Sequence, residues 1–336
     1  MLRNVLATVL TCVGALGVWP AVAVAAPGLG SSADSGSTAG PPIGTPSVSQ
    51  TPMTPGPAQT THAAAADYAD AHPGSVPPGT NDFACRPTGR HPNPVIFAHG
   101  SDSNAYSDWA AIAPILAADG YCVFAVNYGG APGADTFGTE DMYLSADQVA
   151  EFVGRVRGVT GADKVDLVGF SQGATVNRYF VNKLGGAAVV DRWVGMASPS
   201  YGGIFYGLVP AAAAIPGGLQ VVSLFTTTAV EQQAQGSDFL VDLNNGSDTV
   251  PGVRYTTIGT RYDEMIQPYT NVALHGAGAT NILIQDLCPQ DRTGHMNMVY
   301  DRFAIGLVRQ ALDPTAPAPA CEPVPLGTGM IGMIGR

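Results

Sequence analysis

Gly169-Phe170-Ser171-Gln172-Gly173 is the segment of this sequence best suited to covalent chemistry. It follows the strand-like run Val165-Asp166-Leu167-Val168 and leads into Ala174-Thr175-Val176-Asn177-Arg178-Tyr179-Phe180, which is compatible with a helix. A serine at a sharp strand-to-helix turn is held in a strained conformation, its hydroxyl projecting from the sheet at the positive end of the helix. The flanking glycines let strand and helix approach without Cβ clashes. Glycine is common here, 42 of 336 residues, so the pentapeptide alone carries little weight. Its setting is what makes Ser171 a candidate nucleophile.

A serine hydroxyl near neutral pH needs a base, and an imidazole base needs an acid to fix its tautomer. In a strand–turn–helix setting of this kind the chain order is serine, acid, histidine. Two histidines follow Ser171, namely His275 and His295. His295 lies in Arg292-Thr293-Gly294-His295-Met296, after the strand-like run Ile282–Gln285 and before the last helical stretch. His275 sits in a Gly/Ala loop with no strand leading into it. His295 is the preferred base. Candidate acids between nucleophile and base include Asp238, Asp242, Asp248, Asp263, Glu264, Asp286 and Asp291. Asp263 is preferred, because the short loop Gly259-Thr260-Arg261-Tyr262 places it just beyond the strand-like run Arg254–Ile258. Asp248, in Asn-Asn-Gly-Ser-Asp, reads as a turn residue. Glu264 is expected to point away from its neighbour.

Such a site also needs two amide donors for a developing oxyanion. One is the N–H of the residue after the nucleophile, Gln172. The other comes from the loop after an early strand, here His99-Gly100-Ser101 after Pro94–Ala98, which selects the Ser101 N–H. His99 is expected to hold that loop rather than to react.

The elements that must position these residues alternate in period. Strand character is found at Pro94–Ala98, Tyr121–Val126, Val165–Gly169, Trp193–Ala197, Arg254–Ile258 and Ile282–Gln285. Helical spacing is found over Asp108–Asp119, where Pro114 should kink or shorten the helix, and over Gln172–Leu184 and Met296–Leu312. A further helix running to Arg157 is expected to be capped by Thr139. Alternating strands and helices predict an α/β fold, a mostly parallel sheet with helices on both faces in one catalytic domain, here residues 81–321.

The apolar run from Val5 to Val18, preceded by Arg3 and followed by small residues, predicts a signal peptide over residues 1–25 and a secreted, extracellular protein. Residues 26–80 are rich in Pro, Gly, Ser, Thr and Ala and are expected to form a disordered linker, a cell-wall spacer being one use for it. Residues 322–336 read as a flexible tail. A net charge of −11 argues against nucleic acid as a partner, and no later run is long and apolar enough for a permanent membrane span. No cofactor is expected: the histidines do not cluster and no Cys-x-x-Cys spacing suggests a metal. Cys85, Cys122, Cys288 and Cys321 remain after signal removal, an even number that predicts two disulfides with three possible pairings.

The motifs together resemble the class 2 lipases and the Candida lipase-B-like α/β-hydrolases. The resemblance runs from Pro94 to Leu312 through AHGS at 98–101, GYCVFAVNY at 120–128, GFSQGA at 169–174, RWVGMASPSYGG at 192–203, TRYDEMIQP at 260–268 and GHMNMVYD at 294–301. It implies an α/β-hydrolase fold, Asp263 as the acid, and Met265 and Ile266 lining the substrate pocket. It also implies the local pairings Cys85–Cys122 and Cys288–Cys321, and an ester substrate, with a lipid–water interface as a possible place of action. The apolar segment 202–219 departs from the family and is either a lid or pocket wall or a buried helix. Two other functions stay open: a non-catalytic surface protein that binds lipid or a partner, and a serine amidase or peptidase.

Overall fold

The structure is a computed structural model that describes residues 48–131, 133–204 and 227–330. The expected signal peptide, the first part of the expected linker and residues 205–219 of the apolar segment lie outside the described residues.

The core is a seven-stranded sheet. Its strands are β1 (Val48–Gln50), β4 (Val95–Ala98), β5 (Val123–Gly130), β6 (Val165–Phe170), β7 (Val190–Met196), β8 (Arg254–Gly259) and β9 (Ala279–Leu283). They lie side by side in the order β1-β5-β4-β6-β7-β8-β9. From β5 to β9 every neighbouring pair is parallel; only β1 runs antiparallel, on the outer edge of β5. The central strands β4, β5 and β6 are buried along their whole length, as strands covered on both faces must be, which is why they read as continuous apolar runs. A short parallel pair, β2 (Thr54–Pro55) with β3 (Ser75–Val76), lies outside this sheet.

Helices cover both faces. On one, α1 (His62–Ala71), α2 (Ile112–Ala118) and the C-terminal helix α8 (Arg302–Leu312) pack with Phe97, Val123, Val168 and Met196. On the other, α3 (Met142–Thr160), α4 (Gln172–Lys183) and α6 (Asp238–Asn244) pack with Ile96, Phe124, Leu167 and Trp193. Short helices α5 (Thr228–Gln232) and α7 (Ile284–Leu287) complete the described set. Among the described residues no helix is long and apolar enough to cross a membrane.

Several boundaries depart from expectation for local reasons. The helix expected over 108–119 begins only at Ile112, with Pro114 in its first turn, where a missing N–H leaves no intrahelical bond unmade. The long helix α3 is capped by Asp141, not Thr139: the Asp141 carboxylate accepts from the N–H groups of Tyr143 and Leu144. Thr139 instead turns back on Gly129 O. The last strand ends at Leu283, and Gln285 already lies in α7. The expected helix from Met296 is a 3-10 turn at Met298–Tyr300 followed by α8, because Asp301 turns its side chain to cap Ala304 N–H and starts the helix afresh.

The larger correction concerns residues 48–80, expected to be disordered linker. They form the edge strand β1, the pair β2–β3 and helix α1, and they pack onto the domain. Ala65 and Ala69, four residues apart on one face of α1, are buried against the core. The Tyr106 hydroxyl donates to Pro57 O at 2.6 Å, and Gly56 lies so close to the rings of Tyr106 and Tyr68 that a Cβ would meet them at 2.5 and 2.7 Å. Asn81, at φ 61°, donates to Pro52 O and Ala125 O and accepts from Ala125 N–H, tying the segment to β5. Small residues approach closely here instead of contributing bulk. The expected tail is likewise anchored as far as Met330: Val324 bridges to Asp291, and Arg292 N–H donates to Val324 O.

The disulfides are Cys85–Cys122 and Cys288–Cys321, which tie each end of the domain to its interior.

Deleting residues 1–80 removes an edge strand and the cover over Tyr106. A chain starting at Asn81 is expected to melt roughly 10 °C or more below the full-length chain, or to aggregate, as read by circular dichroism and light scattering.

Candidate active site

Ser171 stands at the C-terminal end of β6 with φ 52° and ψ −123°, a region that side chains other than glycine rarely adopt. Its N–H donates to Met196 O on the neighbouring strand at 2.8 Å, and its carbonyl accepts from Ala174 N–H at 3.1 Å. A Cβ on Gly169 would fall 2.4 Å from Ala174 N, and one on Gly173 would fall 2.1 Å from Ala98 O. Both obstacles are backbone, so neither position tolerates a side chain without opening the turn. The serine is half-buried at the head of α4, where helix N–H groups point outward.

Asp263 and His295 meet at the same edge of the sheet, beyond the ends of β8 and β9. The imidazole Nδ1 lies 3.1 and 3.0 Å from the two carboxylate oxygens of Asp263. Both side chains are almost wholly buried. The carboxylate accepts also from the N–H groups of Met265 and Ile266, at 2.9 and 2.7 Å, and so is fixed by its own turn. An Nδ1–H donated to Asp263 leaves Nε2 as the lone-pair nitrogen, the tautomer a general base requires. The Phe170 ring, one residue before Ser171, packs on the His295 ring with centroids 4.9 Å apart, which puts Ser171 and His295 at one end of the sheet. Burial pulls the His295 pKa down, but Asp263, Glu264 and Asp108 outweigh it and raise the value above the usual 6.5.

The oxyanion candidates also come together. Ser101, in the loop after β4, donates its hydroxyl to Gln172 Oε1 at 2.5 Å. The Gln233 carboxamide donates to both Ser101 Oγ and Gln172 Oε1, each at 3.0 Å. His99 is fully buried and braces the loop: its Nδ1 donates to Gly100 O at 2.7 Å, its ring stacks on Tyr128, and the Tyr128 hydroxyl donates back to His99 O. Burial holds its pKa below the usual value, so it is neutral.

Of the residues named for substrate contact, Met265 is half-buried, and Ile266 is fully buried beside Ile204, to which it forms an isolated bridge. His275 is exposed and its ring stacks on Tyr201. Asp248, read as a simple turn residue, is a buried hub that accepts from the Tyr201 hydroxyl and from His275 and Gly276 N–H.

Three supporting residues were not legible. Glu264 does not point away; its carboxylate accepts from His295 N–H at 2.7 Å and Met296 N–H at 3.2 Å. Asp108 is buried and accepts from Gly100 N–H at 2.7 Å, from Ser103 Oγ at 2.6 Å and from His62 Nε2 at 3.0 Å. Burial pushes its carboxyl up, but His62 and the Gly100 N–H outweigh that and hold it below the usual range, so it is ionised. Gln233 is the third. Each acts across a large sequence separation; only Glu264, adjacent to the acid, gave any local signal.

Among the described residues no group of three or more His, Cys, Asp or Glu side chains is placed to hold a metal. A surface groove of about 700 Å³, lined in part by Asn93, Asp163, Lys164 and Asp191, opens at the opposite end of the sheet and shares no residue with the site above.

A parallel sheet carrying a strained serine at a strand–helix turn, with an acid–histidine pair on later loops, is the architecture of an α/β-hydrolase. The sequence model of the class 2 lipases matches residues 92–306, and the chain belongs to that family. Among solved structures it is similar to Aspergillus fumigatus lipase B, with 17% identity and a TM-score of 0.55 over 76% of this chain and 59% of that longer one. It is also similar to the mature form of Bacillus licheniformis lipase BlEst2, with 18% identity and a TM-score of 0.50 over 68% of this chain and 94% of that one. No curated protein matches it.

Gly173→Ala must push strand and helix apart at Ala98 O. It is expected to lower esterase turnover by about 100-fold or more, as misplaced reacting groups do, while circular dichroism stays close to that of the unaltered protein.

Proposed function

We propose that the chain is a secreted lipase, a serine hydrolase that cleaves triacylglycerols or related lipid esters through an acyl-enzyme. The observation that carries this reading is the buried Asp263–His295 pair at the sheet edge from which Ser171 projects with a φ of 52°. His295 Nε2 takes the proton from Ser171 as Oγ attacks the ester carbonyl. The amides of Ser101 and Gln172 hold the oxyanion. When it collapses, the proton on His295 passes to the departing alcohol. Water then attacks the acyl-enzyme, giving its proton to His295, and the acid leaves as Ser171 recovers its hydrogen. Asp263 keeps the imidazole in its tautomer and stabilises the imidazolium throughout. Met265, partly exposed beside Asp263, is suited to line the acyl or alcohol pocket; Ile266 would back it from beneath.

The apolar leader through Ala25 and the two disulfides fit an oxidising compartment outside the cytoplasm. The chain's own residues supply every proton transfer in this cycle.

Ser171→Ala is expected to cut p-nitrophenyl butyrate hydrolysis by about 10⁴-fold or more and to abolish labelling by a fluorophosphonate probe. Retained turnover, or a native protein that never labels, would end the hydrolase reading and favour a non-catalytic binder. The base works only when neutral, so activity is lost as pH falls through the His295 pKa. The acid limb of kcat/KM is therefore expected above pH 6.5, and Asp263→Asn is expected to lower kcat by about 10³–10⁴-fold.

A further inference from the structure

His295 is addressed by two carboxylates, one on its ring and one on its backbone. Asp263 takes the ring Nδ1. Glu264, the next residue, takes the N–H of His295 itself with one oxygen and that of Met296 with the other. This bidentate contact reaches the base's loop across a separation of 31 residues from a turn that already holds Asp263 rigid. Gly294 makes the approach possible: a Cβ there would lie 2.1 Å from Glu264 Oε2. The same two loops are also joined by Thr260 Oγ1 donating to Thr293 O at 2.6 Å, a neutral bond that carries no charge to the ring.

Resting on the hydrolase reading above, we propose that Glu264 is a positioning residue for the base, whose carboxylate fixes the backbone at His295 and Met296 and adds a second negative charge beside the imidazole. The consequence is twofold. The backbone contact sets where Nε2 lies relative to Ser171. The charge favours the imidazolium that forms during each proton transfer. The charged groups facing His295 are Asp263 on its own loop contact, Glu264 beside it, and Asp108 from the loop that precedes α2, itself partnered by His62 of α1. Glu264 is the one of the three carboxylates that touches the histidine's backbone.

The two contributions separate by substitution. Glu264→Gln keeps an acceptor but removes the charge; Glu264→Asp keeps the charge but is too short to span both N–H groups. In the full-length protein the His295 ring titration, followed by NMR and assigned with His295→Ala, is expected to shift to lower pH in Glu264→Gln. It is expected to stay near its original midpoint in Glu264→Asp. With p-nitrophenyl butyrate both variants are expected to lose about ten- to a hundredfold in kcat with KM within about twofold, and the acid limb moves down in Glu264→Gln alone. An unshifted His295 titration in Glu264→Gln, or kcat unchanged in both variants, overturns the proposal. Should Glu264→Gln fail to fold, a wild-type kcat in Glu264→Asp overturns it instead. A parent protein inert to esters and to the fluorophosphonate, whose His295 midpoint still falls in Glu264→Gln, sinks the hydrolase reading and leaves the electrostatic role of Glu264 in place.

Discussion

A serine at φ 52° stays there only when its surroundings remove the alternatives, and three contacts do so here. The N–H of Ser171 is committed to Met196 O, its carbonyl receives Ala174 N–H, and the backbone of Ala98 and His99 closes over Gly173. The cost of such a conformation is of order 1–3 kcal/mol and is carried by the packing of β4, β6, β7 and α4 around it. The rest of the site follows from this constraint. Because β4 and β6 are neighbours in register, Ala98 opposite Gly169, the loop that leaves β4 must pass over the head of α4. That is what brings Ser101 against Gln172. Because β8 and β9 continue the parallel order, their following loops open on the same edge and can place Asp263 and His295 there.

The parts legible in the sequence were those written as local chemistry. Ser171 and its glycines, Asp263 just past a strand and His295 between a strand and a helix each had a short-range signature, and the buried strands stood out as apolar runs. Ends of elements were less legible, because capping is decided by which polar side chain reaches the helix first: Asp141 displaced Thr139, and Asp301 split the final helix. Long-range polar contacts left no trace. Nothing near Asp108 says that it will anchor Gly100, and nothing near Gln233 says that it will meet Ser101. Asp248, in a run of turn-forming residues, is both a turn residue and a buried anchor, and composition reports only the first.

The order of residues 48–80 escapes the sequence for a more general reason. Sequence-based tests of order weigh bulky apolar side chains, since these supply most of the burial that offsets chain entropy. This segment gains its order differently, through alanines and glycine set close to aromatic rings already in the domain and through backbone partners supplied by Asn81. The large side chain it closes on, Tyr106, belongs to a different stretch of chain. Its composition is therefore that of a linker while its environment is that of a core.

The same segment reaches the site. His62, at the start of α1, is paired with Asp108, which in turn holds Gly100 N–H beside the expected oxyanion donor Ser101 and adds negative charge near His295. An ionised carboxylate with that little exposure is stable only while its partners are in place, because an unpaired buried charge is far costlier than an unpaired exposed one. Docking of α1 and definition of the loop after β4 are thus coupled through one buried ion. A segment outside the matched family region, 92–306, contributes in this way to the geometry at its centre. The edge that carries the candidate site is supported from both ends of the domain: by His62 and Asp108 behind the loop after β4, and by Glu264 and the Cys288–Cys321 tie behind the loop of His295.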